Sequence, residues 1–350
     1  MNGPTDQAAH QVTGELSAHE LDAVRQLLAA HVPDVGGPLR ASLLSGGRSN
    51  LTYTLTDGTR RWVLRRPPLG HVLATAHDMG REYKVMRALG PTPVPVPQMV
   101  VEDTDPGLLG APFYVMELVE GIVYRDAEDM GRLDADEARR LGHAFIDALA
   151  ELHLVDPAAV GLTDFGRPEG YLARQVSRWT KQLASSRSRE VPGFDDLAAR
   201  LAEAVPDTQR ASIVHGDFRL DNAIVAADDP GRVLAILDWE MATLGDPLAD
   251  LALFNLFWEG WAGLDNPIAA TPTEHGFPSG AALTRRYAER TGLDLADDDW
   301  YTAFAHFKFA VICEGIHYRH VQALTVGEGF DRIGALVPEI VRRGLAALAG

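Results

Sequence analysis

Apolar residues recur at helical spacing in "ELSAHELDAVRQLLAAHV" (15–32), with Ser17 placed as N-cap and Glu20 three residues on, a capping box. The period then shortens to two. "LRASLLS" (39–45), "LTYTLT" (51–56) and "RWVLRR" (61–66) alternate as strands do. The turn chemistry of "GGRSN" and "DGT" between them predicts an antiparallel sheet. "MGREYKVMRALG" (79–90) returns to helical spacing and stops at Gly90. The Pro-rich segment 91–103 is extended, because each Pro disfavours helix at the residue before it. "PFYVMELVEG" (112–121) reads as a further strand.

Beyond Gly121 the pattern is helical over 134–154, 168–186, 194–205, 246–262, 280–291, 297–323 and 330–349. One strand pair interrupts it, "NAIVAAD" and "VLAILD" (222–228 and 233–238) around a "DPG" turn. The pattern is that of an α+β protein: a β-rich N-terminal part with its leading helix (1–117), then a helix-rich part (118–350).

Composition changes this picture only in what it excludes. A hydrophobic fraction of 46% and a charged fraction of 23% are those of a globular protein. The net charge of −17 argues against nucleic acid or anionic membrane as partner, so an anionic substrate needs a local cationic site. Cys313 is the single cysteine, which excludes an internal disulfide or a multi-cysteine zinc site and fits a reducing compartment. Residues 1–16 show neither a basic nor an apolar leader region, and no apolar run has the length of a membrane span. The expectation is a cytoplasmic protein, monomeric or homodimeric.

The chemistry concentrates in "IVHGDFRLDN" (213–222). Phosphoryl transfer needs metal on the phosphate oxygens, donors at the phosphates and a carboxylate to orient the incoming hydroxyl. A kinase catalytic loop supplies these in the order H-R-D-x-x-x-x-N, followed by a metal-binding Asp. Here the order is His215, Asp217, Asn222 and then Asp238 in "ILDWE" across the hairpin. Asn222 and Asp238 are hard oxygen donors suited to Mg²⁺. Asp217 is the candidate catalytic base, Arg219 the candidate for offsetting charge on the transferring group, and His215 a bracing residue.

"HGDFRLDN…LDWEMATLGDPLADLA" resembles the aminoglycoside phosphotransferase family of small-molecule kinases, and within it the branch also found joined to acyl-CoA dehydrogenases. The resemblance runs from about residue 39 to 345 and is most specific over 213–253. It implies a bilobal protein-kinase-like fold, with Mg²⁺ and ATP (GTP being the alternative) as cofactors and a small-molecule hydroxyl as acceptor. It further implies that "SGGRSN" (45–50) covers the phosphates, with Gly46 and Gly47 allowing close backbone approach and Ser49 and Asn50 donating. On the third strand Val63 would roof the adenine and Arg65 reach the phosphates. Arg65 stands where the family pattern has Lys, with Arg66 next to it. Glu82 would pair with that cation, and backbone groups near Glu117 to Val119 would bind the adenine edge. Asp246 is expected to cap the following helix and Asp250 to brace the loop.

The acceptor pocket is expected in the helical part, with Tyr171, Arg174, Trp179, Trp258, Trp261, Lys308, Glu314, His317 and Arg319 as candidate liners. Polycationic antibiotics meet clusters of carboxylates, and only "DLADDD" (294–299) is densely acidic here. The company of the branch points instead to a hydroxylated acyl compound. Two other readings compete: a catalytically silent nucleotide-binding protein, for which Arg65 in place of Lys is the argument, and a metal-dependent hydrolase built on His215 and Asp217.

Overall fold

Ser17 caps the first helix as its sequence predicts: its hydroxyl accepts from the Glu20 amide, and the Glu20 carboxylate accepts from the Ser17 amide at 2.7 Å. The helix, α1 (Ala18–His31), buries Val24 and Leu28. The computed structural model describes residues 15–44, 50–68, 78–259, 264, 275–322 and 330–349. They form two compact units, Met1–Glu120 with Leu234–Glu240, and Gly121–Val233 with Met241–Gly350.

In the first unit, β1 (Arg40–Leu43), β2 (Leu51–Thr56), β3 (Arg61–Arg66), β4 (Met99–Asp103) and β5 (Phe113–Glu117) make one antiparallel sheet in the order β1-β2-β3-β5-β4. The extended segment after the prolines thus ends as an edge strand. Tyr53, Leu55, Trp62, Leu64, Phe113 and Val115 face α1 and form the apolar core. Burial of each such side chain stabilises the unit by roughly 1.5–3 kcal/mol. Side chains alternate along a strand, so Val63 and Arg65 take the opposite face. They pair in register with Met116 and Tyr114. Helix α2 (Met79–Leu89) covers that face and presents Glu82 to it.

The second unit is helical: α3 (Ala127–Met130), α4 (Ala135–Leu154), α5 (Tyr171–Ser186), α6 (Phe194–Glu203), α7 (Pro247–Glu259), α8 (Gly280–Thr291), α9 (Asp298–Val321) and α10 (Phe330–Ala347). Its core is aromatic. Phe218 stacks on Phe145 with ring centroids 4.5 Å apart, and Phe254 on Trp258 at 5.3 Å. Two short strands, β6 (Ser212–Val214) and a further strand at Thr243–Gly245, pair antiparallel and hold the two ends of the motif region. The second of these carries no strand pattern in the sequence; pairing with β6 makes it one. The predicted "DPG" turn is present, closed by the Ala226 amide donating to Arg232 O at 2.9 Å. Strands β7 (Ala223–Val225) and β8 (Val233–Ile236) flank it, which makes Thr243–Gly245 β9. Among the described residues no helix is long and apolar enough to cross a membrane.

Candidate active site

In the second unit β6 ends at Val214, and the chain turns at Gly216 with φ of +85°. A side chain there would be strained, and its Cβ would lie 2.9 Å from Met241 Cβ. The turn is fixed from beneath. Asp250, fully buried on α7, accepts the His215 amide at 2.6 Å and the Gly216 amide at 2.8 Å. His153 approaches the same carboxylate at 3.3 Å and meets the Tyr287 hydroxyl at 2.7 Å through its other nitrogen. Burial works to raise the Asp250 carboxyl. The His153 hydrogen bond, the positive ends of His153 and His215 and the His215 amide outweigh it, so the group stays below the ordinary carboxylate range.

Asp217 follows, half-buried, with its amide donating to His215 Nδ1 at 3.2 Å. A one-turn 3₁₀ segment, Leu220–Asn222, brings Asn222 back onto it. Asn222 Nδ2 donates to Asp217 O at 3.0 Å and to Asp217 Oδ2 at 3.1 Å. Spending the amide nitrogen in this way leaves the carbonyl Oδ1 as the group's acceptor. Arg219 Nε lies 3.5 Å from Asp217 Oδ1, Nη2 donates to Asp221 Oδ2 at 2.7 Å, and the guanidinium lies over the Phe257 ring at 5.1 Å. Asp221 was not a sequence candidate. Burial pushes its carboxyl up while Arg219 pulls it down, so it serves as the arginine's anchor. Asp246 caps α7 through the Leu248 amide at 2.9 Å and accepts from Tyr301 at 3.0 Å.

In the first unit, Arg65 Nη1 is 3.0 Å from Glu82 Oε2 and Nη2 is 3.0 Å from Asp238 Oδ1. Tyr114, across the register from Arg65, donates to the same Glu82 oxygen at 2.9 Å. Burial pushes the Glu82 carboxyl up to about 7, with Arg65 and Tyr114 pulling against it. Arg65 is held charged: desolvation opposes the charge, but the oxygens of Tyr114, Glu82 and Asp238 more than offset it. Asp238 follows β8 with φ of +67°, a left-handed conformation that Asp tolerates at some cost. Its neighbours fix it there: Ile236 donates to Pro95 O at 2.8 Å, and the fully buried Trp239 donates to Ile236 O at 2.9 Å.

The remaining nucleotide candidates divide. Gly46, Gly47 and Ser49 lie outside the described residues. Asn50 is buried, and among the described residues neither of its amide atoms has a hydrogen-bond partner. Val63 is buried beside Met116. Glu117 uses its carboxylate on the Gln98 amide and its own amide on Gln98 O, while Val119 is half-buried in the segment that follows. Arg66 turns to the other face and donates to Leu109 O and Tyr53.

Among the acceptor candidates, Trp261 lies outside the described residues. Arg174 is spent on the backbone carbonyls of Arg167 and Glu169, Glu314 is buried in an ion pair with Arg189, and Trp258 donates to Pro278 O. Lys308 is different: its ammonium donates to Gly216 O at 3.2 Å and stands 5.7 Å over the Trp179 ring. Among the described residues no group of three or more His, Cys, Asp or Glu side chains is arranged to hold a metal.

The chain resembles known proteins along most of its length. The phosphotransferase enzyme family, APH, matches residues 40–289. Rat (Rattus norvegicus) acyl-CoA dehydrogenase family member 11 is 35% identical over 341 residues, covering 94% of this chain and 44% of that protein. The chain therefore spans less than half the length of that relative. A crystal structure from Ralstonia eutropha, provisionally described as an aminoglycoside phosphotransferase, matches at a TM-score of 0.83 and 32% identity over 94% of this chain and 98% of the other. A thermostable mutant of the aminoglycoside phosphotransferase APH(4)-Ia, in ternary complex with AMP-PNP and hygromycin B, shares the fold at a TM-score of 0.60 and 16% identity, covering 94% of this chain and 99% of the other. A loop of the H-G-D-x-x-x-x-N order held by a buried carboxylate, an antiparallel β unit and a helical unit, and a family match over 40–289 lead to one assignment: the chain belongs to the phosphotransferase enzyme family and has its kinase-like fold.

Proposed function

We propose that this protein is a Mg²⁺- and ATP-dependent phosphotransferase that moves the γ-phosphoryl group to an alcohol group of a small molecule. The observation that carries the reading is the Asp217 loop, where a half-buried carboxylate is aligned by Asn222 and Arg219 on a backbone pinned by Asp250. Asp217 accepts the hydrogen bond of the incoming hydroxyl and takes its proton as the oxygen–phosphorus bond forms and the bond to the departing ADP breaks. Arg219, steadied by Asp221, offsets charge on the transferring group, and Arg65 donates to the phosphate oxygens.

The carbonyl of Asn222 in the second unit and the carboxylate of Asp238 in the first are each of the kind that would hold Mg²⁺. Both are hard oxygens, and one or two protein ligands are what that ion ordinarily takes. When bound, the ion neutralises charge on the phosphate oxygens. Retention of the Arg65–Glu82 pair favours an active enzyme over a silent nucleotide-binding protein. The family company supports a hydroxyacyl compound as acceptor rather than an aminoglycoside, and GTP is the alternative donor. The protein acts in the cytoplasm as a monomer or homodimer.

A phosphorus-detected screen of hydroxylated metabolites with Mg²⁺ and ATP tests this reading. Asp217→Asn is expected to lower kcat by about 10²–10⁴ while nucleotide binding, followed by calorimetry, persists. Turnover at the wild-type rate in that variant would remove Asp217 from the mechanism.

A further inference from the structure

Lys308 is one of only three lysines in the sequence, and it occupies the middle of α9 among Phe304, Phe307, Phe309, Ala310 and Val311, all buried. An ammonium in such surroundings is costly unless it has work to do. Among the described residues its one hydrogen bond goes to Gly216 O, which leaves two of its three N–H groups unspent. The ordinary structural explanation would be to neutralise a nearby carboxylate. Asp250 and Asp217 are the acidic groups that act on it, and both are already served. Asp250 accepts from His215, Gly216 and His153, and Asp217 from Asn222 with Arg219 beside it.

The surroundings of Lys308 add more positive charge. Arg178 acts on it electrostatically and stands 5.4 Å over the same Trp179 ring. Arg174, Arg178 and Lys181 follow at i, i+4 and i+7 on α5 and line an open groove of about 600 Å³. In a chain of net charge −17 this is a local reversal of sign on the helix whose Trp179 ring also receives the Lys308 ammonium.

We propose that Lys308 is a specificity residue: it receives a carboxylate or phosphate oxygen carried by the acceptor near its reacting hydroxyl. This rests on the phosphotransferase reading and narrows its acceptor to anionic hydroxyl compounds. A polycationic acceptor would bring like charge against Lys308 and Arg178.

The test is a matched panel of hydroxyalkyl carboxylates, hydroxyalkyl phosphates, the neutral methylamides of the carboxylates, and amino alcohols of equal chain length. Each is offered to the full chain, and binding is read by saturation-transfer NMR. The anionic members are expected to bind about tenfold or more tighter than the amides. Lys308→Gln erases that ratio, and Lys308→Arg keeps most of it. A ratio is insensitive to any loss of folded protein. Which anion binds tighter identifies the group that Lys308 receives. No binding of the anionic members, a preference for amino alcohols, or an unchanged ratio in Lys308→Gln overturns the proposal. ATP turnover that is indifferent to Asp217→Asn, with the anion preference intact, would overturn the phosphotransfer reading and leave the anion site standing.

Discussion

Arg65 Nη2 lies 3.0 Å from Asp238 Oδ1 across 173 residues of sequence, while Nη1 of the same guanidinium holds Glu82 at 3.0 Å. The planar fork of Arg meets two carboxylates at once. A lysine ammonium is a point charge on a different stem and does not reproduce that geometry. Arg here is therefore a different solution to anchoring the site, with the Asp238 carboxylate tied directly to the sheet. Arg65→Lys is expected to keep one partner only and to lower stability by about 1–3 kcal/mol. Urea denaturation measures this, and an unchanged midpoint would mean that the fork contributes nothing.

Glu82 gives a pH signature. Its carboxyl rises from 4.5 to about 7 on folding, so the folded state holds this proton more tightly than the unfolded chain does. Its contribution is fully present below about 4.5 and is lost as pH rises through 7. Glu82→Gln, which cannot ionise, is expected to gain on the wild type steadily between pH 4.5 and 7, with a flat difference above. Denaturation of both proteins at half-unit steps checks the slope. A difference independent of pH would show that Glu82 ionises normally.

Gly216 carries the turn into Asp217 at φ of +85°, with Met241 Cβ 2.9 Å and Met241 O 3.1 Å from where a Cβ would stand. Gly216→Ala combines left-handed strain with a backbone clash. The expected cost is about 1–3 kcal/mol, with turnover falling further because Asp217 moves with the turn. Thermal melting and steady-state kinetics separate the two effects.

Asp250 is the least replaceable of the bracing residues. Asp250→Asn replaces one acceptor oxygen with a donor facing amide N–H groups, at an expected cost of about 3–5 kcal/mol at pH 7. The folded carboxyl lies below its ordinary value, so its stabilising effect is present above about pH 4 and is lost as pH falls through the folded value. The gap between wild type and variant should therefore narrow in acid. A gap that persists unchanged at pH 3 would point to lost packing rather than lost charge.

Local chemistry made much of this molecule readable in advance. Ser17 and Glu20 mark the start of α1, and the "DGT" turn joins β2 to β3, because caps and tight turns depend on residues three or four apart. The order of His215, Asp217 and Asn222 is equally local, since a loop and one 3₁₀ turn bring them together. Of the residues missed, Asp221 is local to Arg219, but His153 and Tyr114 act at long range. His153 reaches Asp250 across 97 residues and Tyr114 reaches Glu82 across 32. A lone His or Tyr on an apolar element gives no sign of which carboxylate it will meet.

The sequence by itself determined most of the elements, though not β9, together with the loop chemistry and the reaction class it points to, since these follow from short-range periodicity and spacing. Only the tertiary structure decided that β5 lies between β3 and β4, which sets Tyr114 opposite Arg65. It also decided that Arg65 ties Glu82 to Asp238, and that Lys308 leaves the apolar side of α9 to meet Gly216 O. Such contacts form when burial of apolar surface brings distant segments together, and the polar groups carried along must then find partners within reach.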